Sequence, residues 1–133
     1  MREALGVHAY RTGDYHTAAR ELHTYRRISG RQDHNHLLAD SLRATGHPQR
    51  IRELVEAMGD DIDQQRRLEA KIVHAAALAD TGDTLRAREI LERAGGQPHT
   101  ATPKLLQAIT TIQPDYLDAA DQLANLHTNN NTH

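Results

Sequence analysis

The chain contains no cysteine, no tryptophan and no phenylalanine, and it has only four tyrosines among its 133 residues. The lack of cysteine excludes disulfide bonds, catalysis by a thiol and metal sites built on thiolates. Because aromatic side chains are so few, the core must be built from alanine and leucine, which number 19 and 15. Small and unbranched apolar side chains of this kind favour helices that pack at close range.

A strong excess of one charge and a long apolar run are also missing. Sixteen Lys and Arg against 18 Asp and Glu give a formal net charge of −2, so the whole molecule is not expected to attract nucleic acid or anionic lipid. No apolar run approaches the roughly 20 residues that a bilayer requires, and none resembles a secretory signal. The sequence predicts a cytoplasmic protein without membrane attachment, with a disordered polar tail at 129–133.

Glycine and proline interrupt the chain at nearly regular intervals. Gly13, Gly46 and Gly82 each separate two runs with apolar periodicity, and Pro114 occupies the corresponding break near the end. These breaks are 33, 36 and 32 residues apart. A period in the low thirties is typical of stacked helical hairpins.

Between the breaks, apolar residues recur at spacings of three and four, which indicates helices and not strands. Asp14 and Asp83 each follow a glycine, where an N-cap acceptor is expected, and Pro48 stands where a first-turn proline loses no hydrogen bond. The acidic run 60–63 also indicates the start of a helix, where carboxylates favour the helix dipole. Helices are predicted at about 2–11, 15–28, 33–45, 48–58, 62–81, 84–94, 102–112 and 115–127.

Two of these units share a sequence pattern. The first unit has small and apolar residues at Leu5-Gly6, Ala9, Gly13-Asp14-Tyr15, Ala18, Leu22 and Tyr25. The third unit repeats them at His74-Ala75, Leu78, Gly82-Asp83, Ala87, Leu91 and Ala94. This pattern resembles the tetratricopeptide repeat, and the Arg-rich, Lys-poor composition, with 14 Arg and two Lys, is similar to that of actinobacterial repeat proteins.

The resemblance implies an all-α protein in which antiparallel helix hairpins stack into a right-handed superhelix, an α-solenoid. A single domain at 1–128 would hold four repeats, at about 1–32, 33–60, 61–99 and 100–128. Small residues are expected where the two helices of a hairpin cross, because a larger side chain would push the helices apart. The residues at these positions are Gly6, Ala18, Ala39, Ala75 and Ala87.

In this family the first helices of the repeats line a concave groove that binds extended peptides or partner helices. Carrying over the groove positions gives Glu3, Val7, Tyr10, Arg11, His36, Asp40, Arg43, Glu69, Ile72, Ala76 and Asp80. Tyr and Arg are residue types enriched in binding hot spots. The resemblance therefore implies a non-catalytic protein-interaction module that needs no cofactor and binds a protein or peptide partner. The alternative is that these residues form only a solvated helix face.

The groove positions argue against one kind of partner. Family members that bind the C-terminal carboxylate of chaperones have Lys and Asn where this chain has Glu3 and Val7, and basic residues where it has Glu69 and Val73. A groove with charges of both signs favours a mixed-charge or partly apolar peptide over an acidic tail.

Self-association is a second function that the sequence leaves open. The first repeat begins close to Met1, without a helix that would cover its edge. Such an edge can be covered by further repeats of a longer array or by a second copy of the chain. A homo-oligomer formed through the terminal hairpins is therefore an alternative to groove binding.

Binding of RNA or DNA is a third alternative. Four arginines cluster on the first hairpin, namely Arg20, Arg26, Arg27 and Arg31. Strong phosphate binding usually needs a concentrated basic face, and here Glu21 and Glu53 interrupt it. Nucleic acid is therefore the less favoured partner.

Chemistry at a catalytic or metal site has the least support. The chain has no Gly-rich phosphate loop, no GxSxG and no HExxH motif, and no two histidines are four residues apart. The nearest metal candidate is His34 and His36 beside Asp33, which we expect to be solvent-exposed loop residues, so no metal is predicted. His74 lies on the packed face of the third repeat and is expected to be a hydrogen-bonded interior residue that could confer pH sensitivity.

Overall fold

Six α-helices and one short 3-10 helix form the described part of the chain, residues 1–95 of a computed structural model. The α-helices are α1 (Arg2–Arg11), α2 (Tyr15–Ser29), α3 (Asn35–Ala44), α4 (Ile51–Glu56), α5 (Gln64–Asp80) and α6 (Thr84–Gly95). No strand occurs within residues 1–95, and the predicted all-α class is confirmed for that range. The fourth predicted repeat and the predicted tail at 129–133 lie outside the described residues.

The predicted caps hold the starts of the second helices. The Asp14 and Asp83 carboxylates each accept a hydrogen bond from a backbone N–H three residues further on, at 3.3 and 3.2 Å. Asp63, the last residue of the acidic run, accepts in the same way from the N–H of Arg66 at 2.9 Å. These bonds satisfy N–H groups that have no partner within the helix.

Glycines form the turns that were predicted from the regular spacing. Gly13, Gly46 and Gly82 follow α1, α3 and α5, and their φ angles are 82°, 79° and 91°. Residues with a Cβ rarely adopt this left-handed backbone region. The period in the sequence therefore reflects one turn conformation that is used three times.

The fourth helix differs from its prediction. The segment predicted as one helix at 48–58 is a 3-10 helix, Pro48–Arg50, followed by α4, which ends at Glu56. After α4 the chain turns so that Met58 and Ile62 are buried against Ala70 of α5. Burial of these two apolar side chains outweighs continuation of the helix.

Besides the small cluster of Met58, Ile62 and Ala70, the described residues form two further apolar clusters. The larger cluster joins α1 to α4, with one contribution from α5, and consists of Ala9, Ala18, Leu22, Leu38, Ala39, Ile51, Leu54 and Ala77. The smaller cluster joins α5 and α6 through Ala75, Ala87 and Leu91. Both clusters contain the small residues that were predicted at helix crossings.

Close approach of α1 and α2 explains the glycine on α1. Gly6 is buried, and a Cβ built on it would lie 2.7 Å from side-chain atoms of Leu22. The fully buried Ala18, Ala39, Ala75 and Ala87 confirm that small residues stand where the helices pack most closely.

Each helix packs against the next one in sequence, and α3 also contacts α1 and α5. This arrangement brings the first helices of the three hairpins next to one another, so residues one period apart in the sequence can meet. None of the described helices combines the length and apolarity needed to cross a membrane.

Candidate partner-binding face

The predicted groove residues lie on α1, α3 and α5, the three neighbouring first helices. We call this set the first-helix face: Glu3, Val7, Tyr10, Arg11, His36, Asp40, Arg43, Glu69, Ile72, Ala76 and Asp80. Several of its polar side chains meet across helix boundaries, in the pairs described below.

Tyr10 of α1 and Asp40 of α3 form the shortest of these contacts. The Tyr10 hydroxyl donates to Asp40 Oδ2 at 2.6 Å, and the Tyr10 ring meets the ring of Tyr15 edge-on at 5.7 Å. Burial raises the pKa of Tyr10 well above its ordinary value, and the bond to Asp40 raises it further. The hydroxyl therefore remains a donor across the physiological pH range, which holds Asp40 in one orientation.

Arg43 of α3 and Asp80 of α5 form the second pair. Arg43 donates from Nε to Asp80 Oδ2 at 2.8 Å and from Nη2 to Oδ1 at 3.3 Å. The two side chains remain 37% and 54% exposed. A two-pronged bond of this kind fixes geometry, while its exposure to water limits its contribution to stability.

His36 of α3 faces Glu69 of α5, with 3.9 Å between His36 Nε2 and Glu69 Oε2. The prediction that His36 is a solvent-exposed loop residue is wrong, because α3 begins at Asn35 and its first turn is buried between the neighbouring helices. Burial lowers the pKa of His36 to about 4, and the negative charge of Glu69 offsets only part of this effect. His36 is therefore neutral at neutral pH.

Glu3, Asp33 and His34 form a polar cluster at the start of α3, with ligand-type atoms within 4.8 Å of one another. His34 is half-buried, not solvent-exposed as predicted, and its Nε2 lies 2.9 Å from Glu3 Oε1. Asp33 accepts hydrogen bonds from the Tyr25 hydroxyl and the Arg31 guanidinium, both at 3.0 Å. A metal bound through His34 Nε2 would replace the contact of that nitrogen with Glu3. The cluster connects α1 to α3 as it stands.

The other face residues add apolar surface and one exposed cation. Val7 packs against the larger cluster and Ile72 against the smaller one, both partly buried, and Ala76 is also partly buried. Arg11 is exposed and forms no ion pair with the described residues. The face therefore combines partly covered apolar side chains with charges of both signs.

Sequence reasoning missed two contacts that position this face. The buried Asn35 amide donates to the backbone oxygen of Leu54 at 2.8 Å and to Gln32 at 2.7 Å, which ties α3 to α4. Arg66 of α5 donates to the backbone oxygen of Asp33 at 3.0 Å. Polar residues at the start of a predicted helix gave no signal of burial, although Asp33 and Arg66 are one repeat period apart.

Local ion pairs engage three of the four arginines of the basic cluster, Arg20, Arg26 and Arg31. Arg27 is exposed and has no ion pair within residues 1–95. Arg2 and Arg20 both pair with the buried Glu21, at 3.0 and 3.4 Å, and Arg26 lies 3.8 Å from Glu53. Glu21 and Glu53 therefore do more than interrupt the row of arginines. These pairs argue against a phosphate-binding face on this hairpin.

His74 also differs from its prediction as a hydrogen-bonded interior residue. The side chain is half-buried and lines an open cavity bounded by α4, α5 and α6, where no hydrogen bond to another described residue holds it. Burial lowers the pKa of His74. The cavity depends on how three helices diverge, which the periodicity of one helix does not indicate.

The described structure defines an all-helical protein whose adjacent helices carry a shared polar and apolar face. No match to this chain is found among protein-family models, curated proteins or solved structures.

Proposed function

We propose that this chain is a non-catalytic protein-interaction module, a tetratricopeptide-like α-solenoid that binds a peptide segment or helix of a partner protein on its first-helix face. The solenoid is the extension of the observed packing, in which successive hairpins join through α1, α3 and α5. The partner lies across these helices and contacts all three hairpins. A cytoplasmic location agrees with this role.

The observation that carries the proposal is the pairing across successive first helices. Tyr10 meets Asp40, and Arg43 meets Asp80, although the partners are 30 and 37 residues apart in sequence. All four residues occupy groove positions of the repeat pattern, and they meet one another as neighbouring positions of one surface would. Repeat proteins use such continuous surfaces for extended partners.

The charges of the face indicate what it recognises. Arg43 and Asp80 hold each other in place but stay substantially exposed. Arg43 can therefore donate a further hydrogen bond to a ligand, and Asp80 can accept one. Arg11 adds a cation next to Tyr10, a residue type that anchors many interfaces. Partly exposed Val7 and Ile72 favour apolar side chains between the polar ones. A mixed-charge, partly apolar segment meets all these requirements.

The test is a selection of binding peptides from a random displayed library on the full chain, followed by affinity measurements with purified variants. Arg43→Glu and Arg11→Glu are expected to weaken a selected peptide at least about tenfold, the effect of losing about 1.4 kcal/mol. Arg88→Glu is the matched control, because Arg88 forms a similarly exposed ion pair with Glu92 at 2.7 Å on α6. Circular dichroism verifies that each variant is folded.

Loss of binding in both face variants with an unchanged control supports the face as the binding surface. Equal binding by Arg43→Glu, Arg11→Glu and the parent chain contradicts the proposal. Equal losses in all three variants indicate a general charge effect and contradict it as well.

Self-association is a second candidate function, and exposed apolar side chains on the first hairpin favour it. Leu5 on α1 and Ile28 on α2 are 50% and 69% exposed, and Met1 next to them is 98% exposed. Exposed apolar groups that lie together mark interaction sites. Sedimentation equilibrium over a wide concentration range should show an oligomer that Ile28→Lys dissociates, whereas a monomer at every concentration rejects this function.

A further inference from the structure

An open cavity of about 480 Å³ lies where α4, α5 and α6 meet. Its volume falls within the range of small-molecule sites. Four cationic side chains from the three helices line it: Arg52, Lys71, Arg86 and Arg93. We call these residues with His74 the cationic cavity.

Carboxylates balance only part of this charge. Glu56 and Glu89 also line the cavity, so four cations stand against two anions. Glu56 accepts a hydrogen bond from Arg52 at 2.9 Å. Arg86 Nε lies 3.9 Å from Oδ2 of Asp83, which does not line the cavity, so two of the four cations are paired. Lys71 and Arg93 form no ion pair with any residue in the range 1–95. These two charges, which have no partner in the described range, favour an anion in the cavity.

The pKa of His74 is lowered by burial and, to a smaller extent, by the charges around it. Burial is the largest cause of its lowered pKa, and the charges of Arg52 and Arg86 lower it further, while Glu56 opposes them. An anion bound among these groups would offset the two guanidinium charges and favour protonated His74. The side chain would then add a hydrogen-bond donor to the site.

The cavity also has an apolar wall and is separate from the first-helix face. Ile90 and Ala94 of α6 line one side of it and are partly buried. On α5, helical periodicity places Lys71 and His74 opposite Ile72 and Ala76. A ligand here would leave the first-helix face accessible.

We propose that the cationic cavity binds a small phosphate ester, with the phosphate among Lys71, Arg86 and Arg93 and the apolar part against Ile90. Guanidinium and ammonium groups form charge-assisted hydrogen bonds with phosphate oxygens, and two arginines supply planar donors that match them. Protonation of His74 from solvent accompanies binding. The site is independent of the peptide-binding function proposed above.

The test is an NMR titration of the full chain with phenyl phosphate, which follows the ring signals of all histidines. The His74 signal is assigned by its loss in His74→Gln. A saturable shift centred on His74 is expected, with a rise in its pKa. Lys71→Gln and Arg93→Gln should each weaken binding about tenfold, since each removes one charge-assisted contact. Arg27→Gln, an exposed arginine on α2 away from the cavity, is the control and should bind like the parent chain.

Inorganic phosphate forms a second arm of the test. Phenyl phosphate should bind at least about threefold more tightly, because its ring buries apolar area against Ile90. Equal affinities contradict a phosphate ester as the ligand class. The site itself is rejected if no saturable shift occurs up to about 10 mM, if all histidines shift alike, or if the cavity variants bind as well as the Arg27→Gln control.

Discussion

Two halves of the described structure, α1–α4 and α5–α6, are held together by different kinds of packing. Four large side chains are fully buried in the first half, namely Leu22, Leu38, Ile51 and Leu54. The second half has a single large buried residue in its cluster, Leu91, packed between Ala75 and Ala87. The first half depends on buried apolar area, and the second depends on how closely two helices can approach.

Buried polar side chains reinforce this difference. Within residues 1–95, the buried polar residues are Glu21, Asn35, His36 and Ser41, all on α2 and α3. Asn35 specifies the packing of α3 on α4, because its amide must face the Leu54 carbonyl to satisfy both groups. The α5–α6 hairpin has no buried polar side chain in the described range. Its polar contacts with the first half, between Arg66 and Asp33 and between Arg43 and Asp80, are part-buried or exposed.

The largest expected loss of stability comes from truncating a large buried side chain in each half. Leu22→Ala and Leu91→Ala should each lower the free energy of unfolding by about 2–5 kcal/mol, because both side chains are fully buried. Hydrogen exchange should then accelerate across α1–α4 for Leu22→Ala but only in α5 and α6 for Leu91→Ala. Identical exchange patterns in the two variants would show that the halves unfold as one unit.

Acid is expected to act on the first half through His36. Its folded-state pKa of about 4 lies below the unfolded value of about 6.5, so the unfolded chain binds more protons between these pH values. Stability is therefore complete above about pH 6.5 and falls towards pH 4, by on the order of 3 kcal/mol in total. Denaturant titrations from pH 7 to 4 should show a shallower loss in His36→Gln. An unchanged slope in that variant would assign the pH dependence to other groups.

Overpacking at the helix crossings is the next effect in size. Gly6→Ala in the first half places a Cβ 2.7 Å from Leu22, and Ala87→Leu in the second adds three carbons at a fully buried position. Each should cost about 1–3 kcal/mol. Thermal unfolding measures both, and a midpoint near that of the parent chain for Ala87→Leu would reject the repeat register in the second half.

The smallest expected loss of stability comes from removing the ion pair that links the halves. Arg43→Gln removes the bond to Asp80, and Arg88→Gln removes a pair within α6 alone. Both pairs are exposed to solvent, so each change should lower stability by less than about 1 kcal/mol in chemical denaturation. A much larger loss for Arg43→Gln would mean that this pair holds the two hairpins together, and that its position on the first-helix face is structural.

Local sequence signals predicted most of the helices. Five of the six described α-helices begin and end within about two residues of their predicted bounds, because glycine turns and Asp caps act over a few residues. The exception is α4, which starts three residues later than predicted because Pro48–Arg50 form a 3-10 helix. Its end is followed by Met58 and Ile62, which are buried against α5. The sequence of the α4 segment alone does not show that Met58 and Ile62 are buried against a neighbouring helix.

For the candidate site, too, the sequence predicted which residues share a helix face but not how the helices pack around them. Residues on one helix face followed from periodicity and from the family pattern, and Tyr10, Asp40, Arg43 and Asp80 lie where neighbouring first helices meet. Burial of His36 and the cavity at His74 depend on the distances between helices. Those distances follow from side-chain volumes on several elements at once, which a pattern along one helix does not contain.

The packing of each helix against its neighbours in sequence also bears on how quickly the molecule forms. The described contacts join elements one or two steps apart along the chain, so only short loops must close before apolar side chains meet. Alanine, which supplies much of the core, loses no rotamer freedom when it is buried. Proteins with such local contacts refold within about microseconds to milliseconds. Folding can therefore start at any hairpin and spread to the next.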